Sequence, residues 1–221
     1  MPALNEEAVI GGHIAKVREA VDLPVWLVDD CSTDGTAQCA AKAGARVIKL
    51  PARLGAWGAT QAGIREAASR GLDFVVTMDA DGQHNPRDIT ALIKPIINGE
   101  YDVVIGSAPE RGSTLRQLAW RMMRLTSGLE CRDLTSGFRV LNQRALSLLA
   151  GPRASYLDYQ DVGVLLMLEQ AGLRILEVPV VMPPRENGKS RIFSSWLAVA
   201  SYMAHTLVLG TIKRSRPWSP Q

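Results

Sequence analysis

Short apolar runs alternate along this chain with longer stretches of helical periodicity, and that alternation restricts the fold more than any other feature. Val25-Trp26-Leu27-Val28, Arg46 to Leu50, Val75 to Met78, Asp102 to Ser107 and Leu173 to Val181 each have strand length and composition. Between them lie helical patterns. Val9, Ile10, Ile14, Val17 and Val21 recur at helical spacing after Asn5, Glu6 and Glu7, which read as a cap and an acidic first turn. An alanine-rich helix is expected to stop at Gly44, a glycine-punctuated one near Gly71, and a third to run from Pro86 to about Asn98. Strands separated by helices of this length predict βαβ units, an α/β fold and a mostly parallel sheet flanked by helices.

Within that frame the stretch from Val75 to Pro86 stands out. A strand runs into Asp79-Ala80-Asp81-Gly82-Gln83-His84-Asn85-Pro86. Residues i and i+2 of a strand share a side, so a D-x-D at its carboxyl end aims two carboxylates at one point outside the sheet. Open α/β sheets bind ligands there. Two hard oxygen donors suit Mg²⁺ or Mn²⁺, and Gln83 and His84 stand close enough to add a contact. Asp29 and Asp30 end an earlier strand on the same edge. There a carboxylate can accept from a base N–H, while Ser32, Thr33 and Asp34 suit a turn or helix cap.

Composition narrows the function classes. At 221 residues, 47% hydrophobic and 21% charged, the chain is globular and long enough for a large core. The 25 Lys and Arg against 22 Asp and Glu leave a net charge of +3, too slight to imply nucleic acid. No basic aromatic stripe or zinc-spaced Cys/His set accompanies it. Cys31, Cys39 and Cys131 form no C-x-x-C and read as reduced thiols, the pattern of a cytoplasmic protein. The opening Met-Pro-Ala-Leu-Asn-Glu-Glu has no basic start or apolar run and is not a secretory leader.

The second half is less regular. Leu115 to Ser127 has helical character and carries Arg116, Arg121 and Arg124. Asp133 to Arg139 forms a polar turn before a strand, and a short helix follows near Arg144 to Ala150. Gln160 to Ala171 reads as a helix and Pro183 to Arg191 as a basic loop. Trp57 and Trp120 read as packing, and His13 and His205 as ordinary surface or helix residues.

Several motifs in order carry a family resemblance. Pro2-Ala3-Leu4-Asn5-Glu6-Glu7, Val28 to Thr36 and Met78 to His84 resemble the family 2 inverting glycosyltransferases of GT-A fold. Asp133-Leu134-Thr135-Ser136-Gly137-Phe138-Arg139 and Asn187-Gly188-Lys189-Ser190 resemble its dolichyl- and polyprenyl-phosphate sugar synthase branch. The resemblance runs from Pro2 to about Ile192. It implies a transferase domain over residues 1–192, with a nucleotide-sugar half at 1–111 and an acceptor half at 112–192.

By that resemblance, Pro2, Ala3, Glu6 and Asp30 line the nucleoside pocket. Asp79, Asp81 and Gln83 hold Mg²⁺ or Mn²⁺ and through it the diphosphate of a UDP- or GDP-sugar. Ser136 and Arg139 stand on the acceptor side, and Arg185 and Lys189 lie on a loop closing over phosphate. The arginine that family members often carry after Gly-Ser is Ala108 here, which leaves Arg111 or Arg116 as substitutes. The expected reaction is transfer of the sugar, with inversion, to a polyprenyl phosphate. The alternatives are transfer to a glycan hydroxyl, for which Asp161 is the candidate base, and a nucleotide-sugar-binding module without turnover. Asp161 equally suits a helix first turn.

Two expectations concern the ends. Ser194 to Ile212 has no charged residue and is followed by Lys213-Arg214-Ser215-Arg216. Over residues 193–221 this predicts an apolar helix and basic tail, lying at a membrane interface or against a membrane partner, or else packing on the core. A peripheral position at the cytoplasmic face of a membrane follows. Family members begin with an apolar strand that leads into the Pro-Ala-x-Asn-Glu-Glu motif from the middle of the sheet. This chain carries almost none of it, so the first central strand is expected to be truncated and Met1 to be an internal or misassigned start.

Overall fold

The structure is a computed structural model that describes residues 1–111, 120–121, 124, 128–157 and 161–182. The expected alternation is present. β1 (Pro2–Ala3) leads to α1 (Glu7–Ala20), β2 (Trp26–Asp29), α2 (Thr36–Lys42), β3 (Arg46–Lys49), α3 (Gly55–Ser69) and β4 (Phe74–Thr77). Next come α4 (Ile89–Ile97) and β5 (Val103–Ser107), then β6 (Arg139–Asn142), α5 (Gln143–Ala150), α6 (Val162–Gln170) and β7 (Ile175–Pro179). The expected Leu115–Ser127 helix falls mostly outside the described residues. Arg116, Arg185, Lys189 and the whole of 193–221 fall outside them as well. Among the described residues no helix is long and apolar enough to cross a membrane.

The strands form two sheets. One has the order β1-β2-β3 and is parallel throughout. The other has the order β4-β6-β5-β7, with β6 antiparallel to both neighbours and β7 parallel to β5. The fold is therefore α/β and parallel-dominated. β1 is two residues long and pairs Pro2 with Val28 and Ala3 with Asp29.

Helix ends follow local chemistry. α2 gives way to Ala43 and to Gly44 at φ +89°, where a Cβ would meet the Arg18 guanidinium. Pro86 opens a 3₁₀ turn capped by Asn85, whose side chain accepts from Arg87 N–H at 3.2 Å, and α4 follows. Asn5 does not cap α1, contrary to expectation. It sits at φ +52°, and its Oδ1 accepts instead from Thr33 N–H at 2.8 Å. The first amides of α1 are met from across the fold. Thr36 Oγ1 accepts from Glu6 N–H at 2.8 Å and Asp34 Oδ2 from Glu7 N–H at 3.3 Å. A tertiary partner has replaced the local cap.

Far from the strands' carboxyl ends, Asp102 organises the start of β5. Its side chain is 2% exposed and accepts from Arg174 N–H at 2.8 Å and Asn142 Nδ2 at 2.9 Å. Arg144 Nη1 at 3.2 Å and Arg174 Nε at 3.4 Å add charge. Burial alone would raise its carboxyl, but the Arg174 amide, Asn142 and Arg144 outweigh it and hold the group below the usual range. In the acid range the unfolded chain binds the proton that folded Asp102 refuses, so this contribution disappears as pH falls below about 4. Asp102→Ala should cost about 2–4 kcal/mol in urea unfolding at pH 7, because buried donors lose their acceptor. The difference from the parent should shrink in acid.

Candidate active site

The loops that follow β1, β2 and β4, together with the Asp133–Arg139 turn, supply the site. Asn5 and Glu7 are locked to the Ser32–Thr36 loop in both directions. Asn5 N–H donates to Ser32 Oγ at 2.9 Å, and Gly35 N–H donates to Glu7 Oε2 at 2.9 Å. Ala3 carbonyl accepts from Asp30 N–H at 2.9 Å, which places Ala3 beside Asp30. Pro2 and Ala3 thus lie on the strand next to the one that leads into Asp30.

Asp30 has a further task that its sequence position did not announce. It is 3% exposed, and its two oxygens accept from Leu54 N–H at 2.6 Å and Gly55 N–H at 2.9 Å. Those amides open α3, a helix end that favours negative charge. Asp29 accepts from Ser32 N–H at 3.1 Å and shapes the turn. Ser32, Thr33 and Asp34 serve the turn, as expected.

The D-x-D segment leaves β4 through Met78. Asp79 is 38% exposed, with its N–H donating to His84 Nδ1 at 3.0 Å and its Oδ2 3.7 Å from His84 Nε2. An accepting Nδ1 makes His84 the neutral tautomer with hydrogen on Nε2. Asp81 Oδ1 accepts from Gln83 N–H at 3.1 Å across Gly82, whose φ of +79° closes the turn. His84 is buried and stacks on Phe138, with centroids 4.9 Å apart and planes 13° from parallel. Gly106 makes room for that ring: a Cβ there would lie 3.0 Å from Phe138 Cδ1.

No group of three or more His, Cys, Asp or Glu gathers as a metal cage among the described residues. The oxygen donors of Asp79, Asp81 and Gln83 nevertheless fit a hard cation that takes its remaining ligands from substrate and water. His13 was missed. It is 5% exposed on α1, and burial lowers its basicity, with Asp81's charge the largest opposing influence. The signal was present in Ile10, His13, Ile14 and Val17, which share one helical stripe.

Arg139 opens β6 opposite Thr77 of β4 and Ile105 of β5. It is 4% exposed, and among the described residues its Nε and Nη2 have no hydrogen-bond partner. Burial lowers its basicity, while Asp161, Cys131, Asp133 and Asp79 favour its charge. Arginine stays protonated even so. Asp161, 7% exposed, stands at the N-cap of α6 without making a side-chain cap bond. Ser136 is buried, and its hydroxyl donates to Gly106 carbonyl at 2.6 Å, so it braces the turn. Ala108 N–H donates to Asp133 Oδ2 at 3.1 Å, which ties down the loop where family members often carry arginine.

Comparison with known proteins gives concordant results. Residues 1–151 match the model of Glycosyl transferase family 2. An undecaprenyl-phosphate mannosyltransferase of Micrococcus luteus is 31% identical over 211 residues, covering 87% of this chain and 85% of the relative. A polyprenol monophosphomannose synthase of Mycolicibacterium smegmatis is 26% identical, covering 98% and 88%. Glucosyl-3-phosphoglycerate synthase from Mycobacterium tuberculosis, solved with Mn²⁺ and UDP-glucose, aligns with TM-score 0.71 and 26% identity. That alignment covers 100% of this chain and 78% of the solved one.

The His84 contact is open to test. In His84→Phe the ring can still pack on Phe138, but the Asp79 amide loses its acceptor. The expected result is a loss of about 1–3 kcal/mol in thermal or urea unfolding with the fold retained.

Proposed function

We propose that this chain, which belongs to glycosyl transferase family 2 and to its dolichyl- and polyprenyl-phosphate sugar synthase-like branch, transfers a sugar from a UDP- or GDP-sugar to a polyprenyl phosphate. The observation that carries the acceptor is Arg139. A buried guanidinium whose Nε–H and Nη2–H have no hydrogen-bond partner among the described residues presents the fork that suits a phosphate oxygen pair. The undecaprenyl-phosphate mannosyltransferase and the polyprenol monophosphomannose synthase support the same acceptor.

In this reading Pro2, Ala3, Glu6 and Asp30 bound the nucleoside. Asp79, Asp81 and Gln83 would hold Mg²⁺ or Mn²⁺, which when bound offsets charge on the departing diphosphate. His84 keeps the Asp79 backbone fixed while Asp79 and Asp81 face outward. Arg139 orients the acceptor phosphate, whose oxygen is already anionic near neutral pH and attacks without a base. Attack from the face opposite the leaving group inverts the anomeric centre. Asp161 balances the charge of Arg139 within the buried site.

A second reading, transfer to a hydroxyl, is favoured by the position of Asp161, a carboxylate beside the same guanidinium that could serve as base. One assay separates the readings. The chain is incubated with labelled UDP- and GDP-sugars, Mn²⁺ or Mg²⁺, and either undecaprenyl phosphate or undecaprenol. Transfer to the phosphate alone, lost with EDTA, is expected. Asp81→Asn should lower turnover at least ~100-fold, and Arg139→Gln should raise KM for the lipid phosphate ~10-fold or more. Equal use of the alcohol, or activity in Asp161→Asn lost only with hydroxyl acceptors, would favour the second reading. No transfer or donor hydrolysis with any donor would leave a binding module.

A further inference from the structure

Two buried histidines stand behind the D-x-D segment. His84 meets it from the Phe138 side, where its Nδ1 accepts from Asp79 N–H at 3.0 Å. His13 meets it from α1. Its Nε2 is fully buried and has no hydrogen-bond partner among the described residues. A buried imidazole is costly unless some polar group answers it. Burial lowers the basicity of this ring, and what opposes burial is the charge of Asp81 and a hydrogen bond to the Asp79 backbone. With the Asp79 N–H already given to His84, that bond runs from the His13 ring to the Asp79 carbonyl.

The packing of α1 puts His13 in position for this. Ile10, Ile14 and Val17 share its helical stripe and form one core with Met78, Ala80 and Ile89. α1 also lies against the 3₁₀ turn Pro86–Asp88. The helix therefore bears on the chain before the first carboxylate, between the two, and beyond the turn that follows them. Met78 and Ala80 are buried in that core, while Asp79 and Asp81 are half-buried on the open side. An apolar stripe alone would hold the segment at a distance from α1. It would not fix the rotation of the Asp79 peptide, which a directional bond does.

We propose that His13 is a positioning residue for the D-x-D: its ring N–H holds the Asp79 carbonyl from α1 while His84 holds the Asp79 N–H. The peptide is gripped at both ends, and the spacing of the two carboxylates is set before a cation arrives. This rests on the reading of Asp79 and Asp81 as ligands of Mg²⁺ or Mn²⁺, and it assigns the α1 histidine to the outer shell that orients such ligands. His13 itself touches neither substrate nor cation.

The test uses the 221-residue chain and four variants. His13→Leu fills the core without an N–H, His13→Asn and His13→Gln each keep an amide N–H, and Val17→Ala weakens the same stripe one turn away. In the metal-free protein, His13→Leu should speed amide exchange at Ala80, Asp81 and Gly82 by ~10-fold or more, and at least one amide variant should restore most of it. Val17→Ala should lower Tm without that local change. Mn²⁺ affinity, titrated by electron paramagnetic resonance with UDP present, should fall ~10-fold or more in His13→Leu and recover in the same amide variant. Exchange in His13→Leu that matches the parent, or that rises only as global stability falls, would make His13 a packing residue and overturn the proposal. So would a defect that neither amide variant repairs, or unchanged Mn²⁺ affinity in His13→Leu. A parent chain that binds no Mn²⁺ would instead remove the cation reading, and the metal-free exchange would still decide whether His13 holds the turn.

Discussion

A guanidinium buried in the second sheet sets terms for everything around it. Arg139 lies between β4 and β5 with 4% of its surface exposed, and a lone buried charge is prohibitively costly. The acids that offset it are Asp161, Asp133 and Asp79, drawn from three separate segments. Asp133 is held in turn by Glu177, whose carboxylate accepts from the Arg132 and Asp133 amides at 2.8 Å each. The position of the acidic strand end is thus coupled to β6, β7 and the start of α6.

The first sheet is organised differently, through loops that complete one another. The segment after β1 and the segment after β2 exchange hydrogen bonds at Asn5, Glu6 and Glu7 and at Ser32, Thr33 and Asp34. Neither loop could hold its shape alone. Asn5 and Cys31 both occupy the left-handed region at φ +52° and +61°, a conformation that costs non-glycine residues energy. The mutual bonds offset that cost.

Asp30 and Ser136, which the family resemblance gives to substrate, also carry the framework, as does His84. Asp30 anchors the start of α3, Ser136 braces Gly106, and His84 joins the Asp79 backbone to Phe138. Such sharing follows from geometry: a side chain aimed at ligand from a strand end has a base surrounded by backbone amides. Substitutions at these positions act on shape as well as on contact. Gly106 belongs to the same set, since its lack of a Cβ lets Phe138 and His84 stack beneath the D-x-D turn.

The sequence by itself determined the strand and helix alternation, the parallel-dominated α/β class, and the placement of Asp29, Asp30, Asp79 and Asp81 at strand ends. These are local properties, written in period-two and period-3.6 patterns and in turn residues a few positions apart. Only the tertiary structure decided the order β4-β6-β5-β7, because the partner of β4 lies more than sixty residues away in Arg139–Asn142. It also decided that Arg139 and His13 are buried, that Asp34 and Thr36 rather than Asn5 serve the start of α1, and that β2 and β4 stand apart. Each depends on which distant groups arrive beside a residue, and pairing of that kind leaves no periodic trace along the chain.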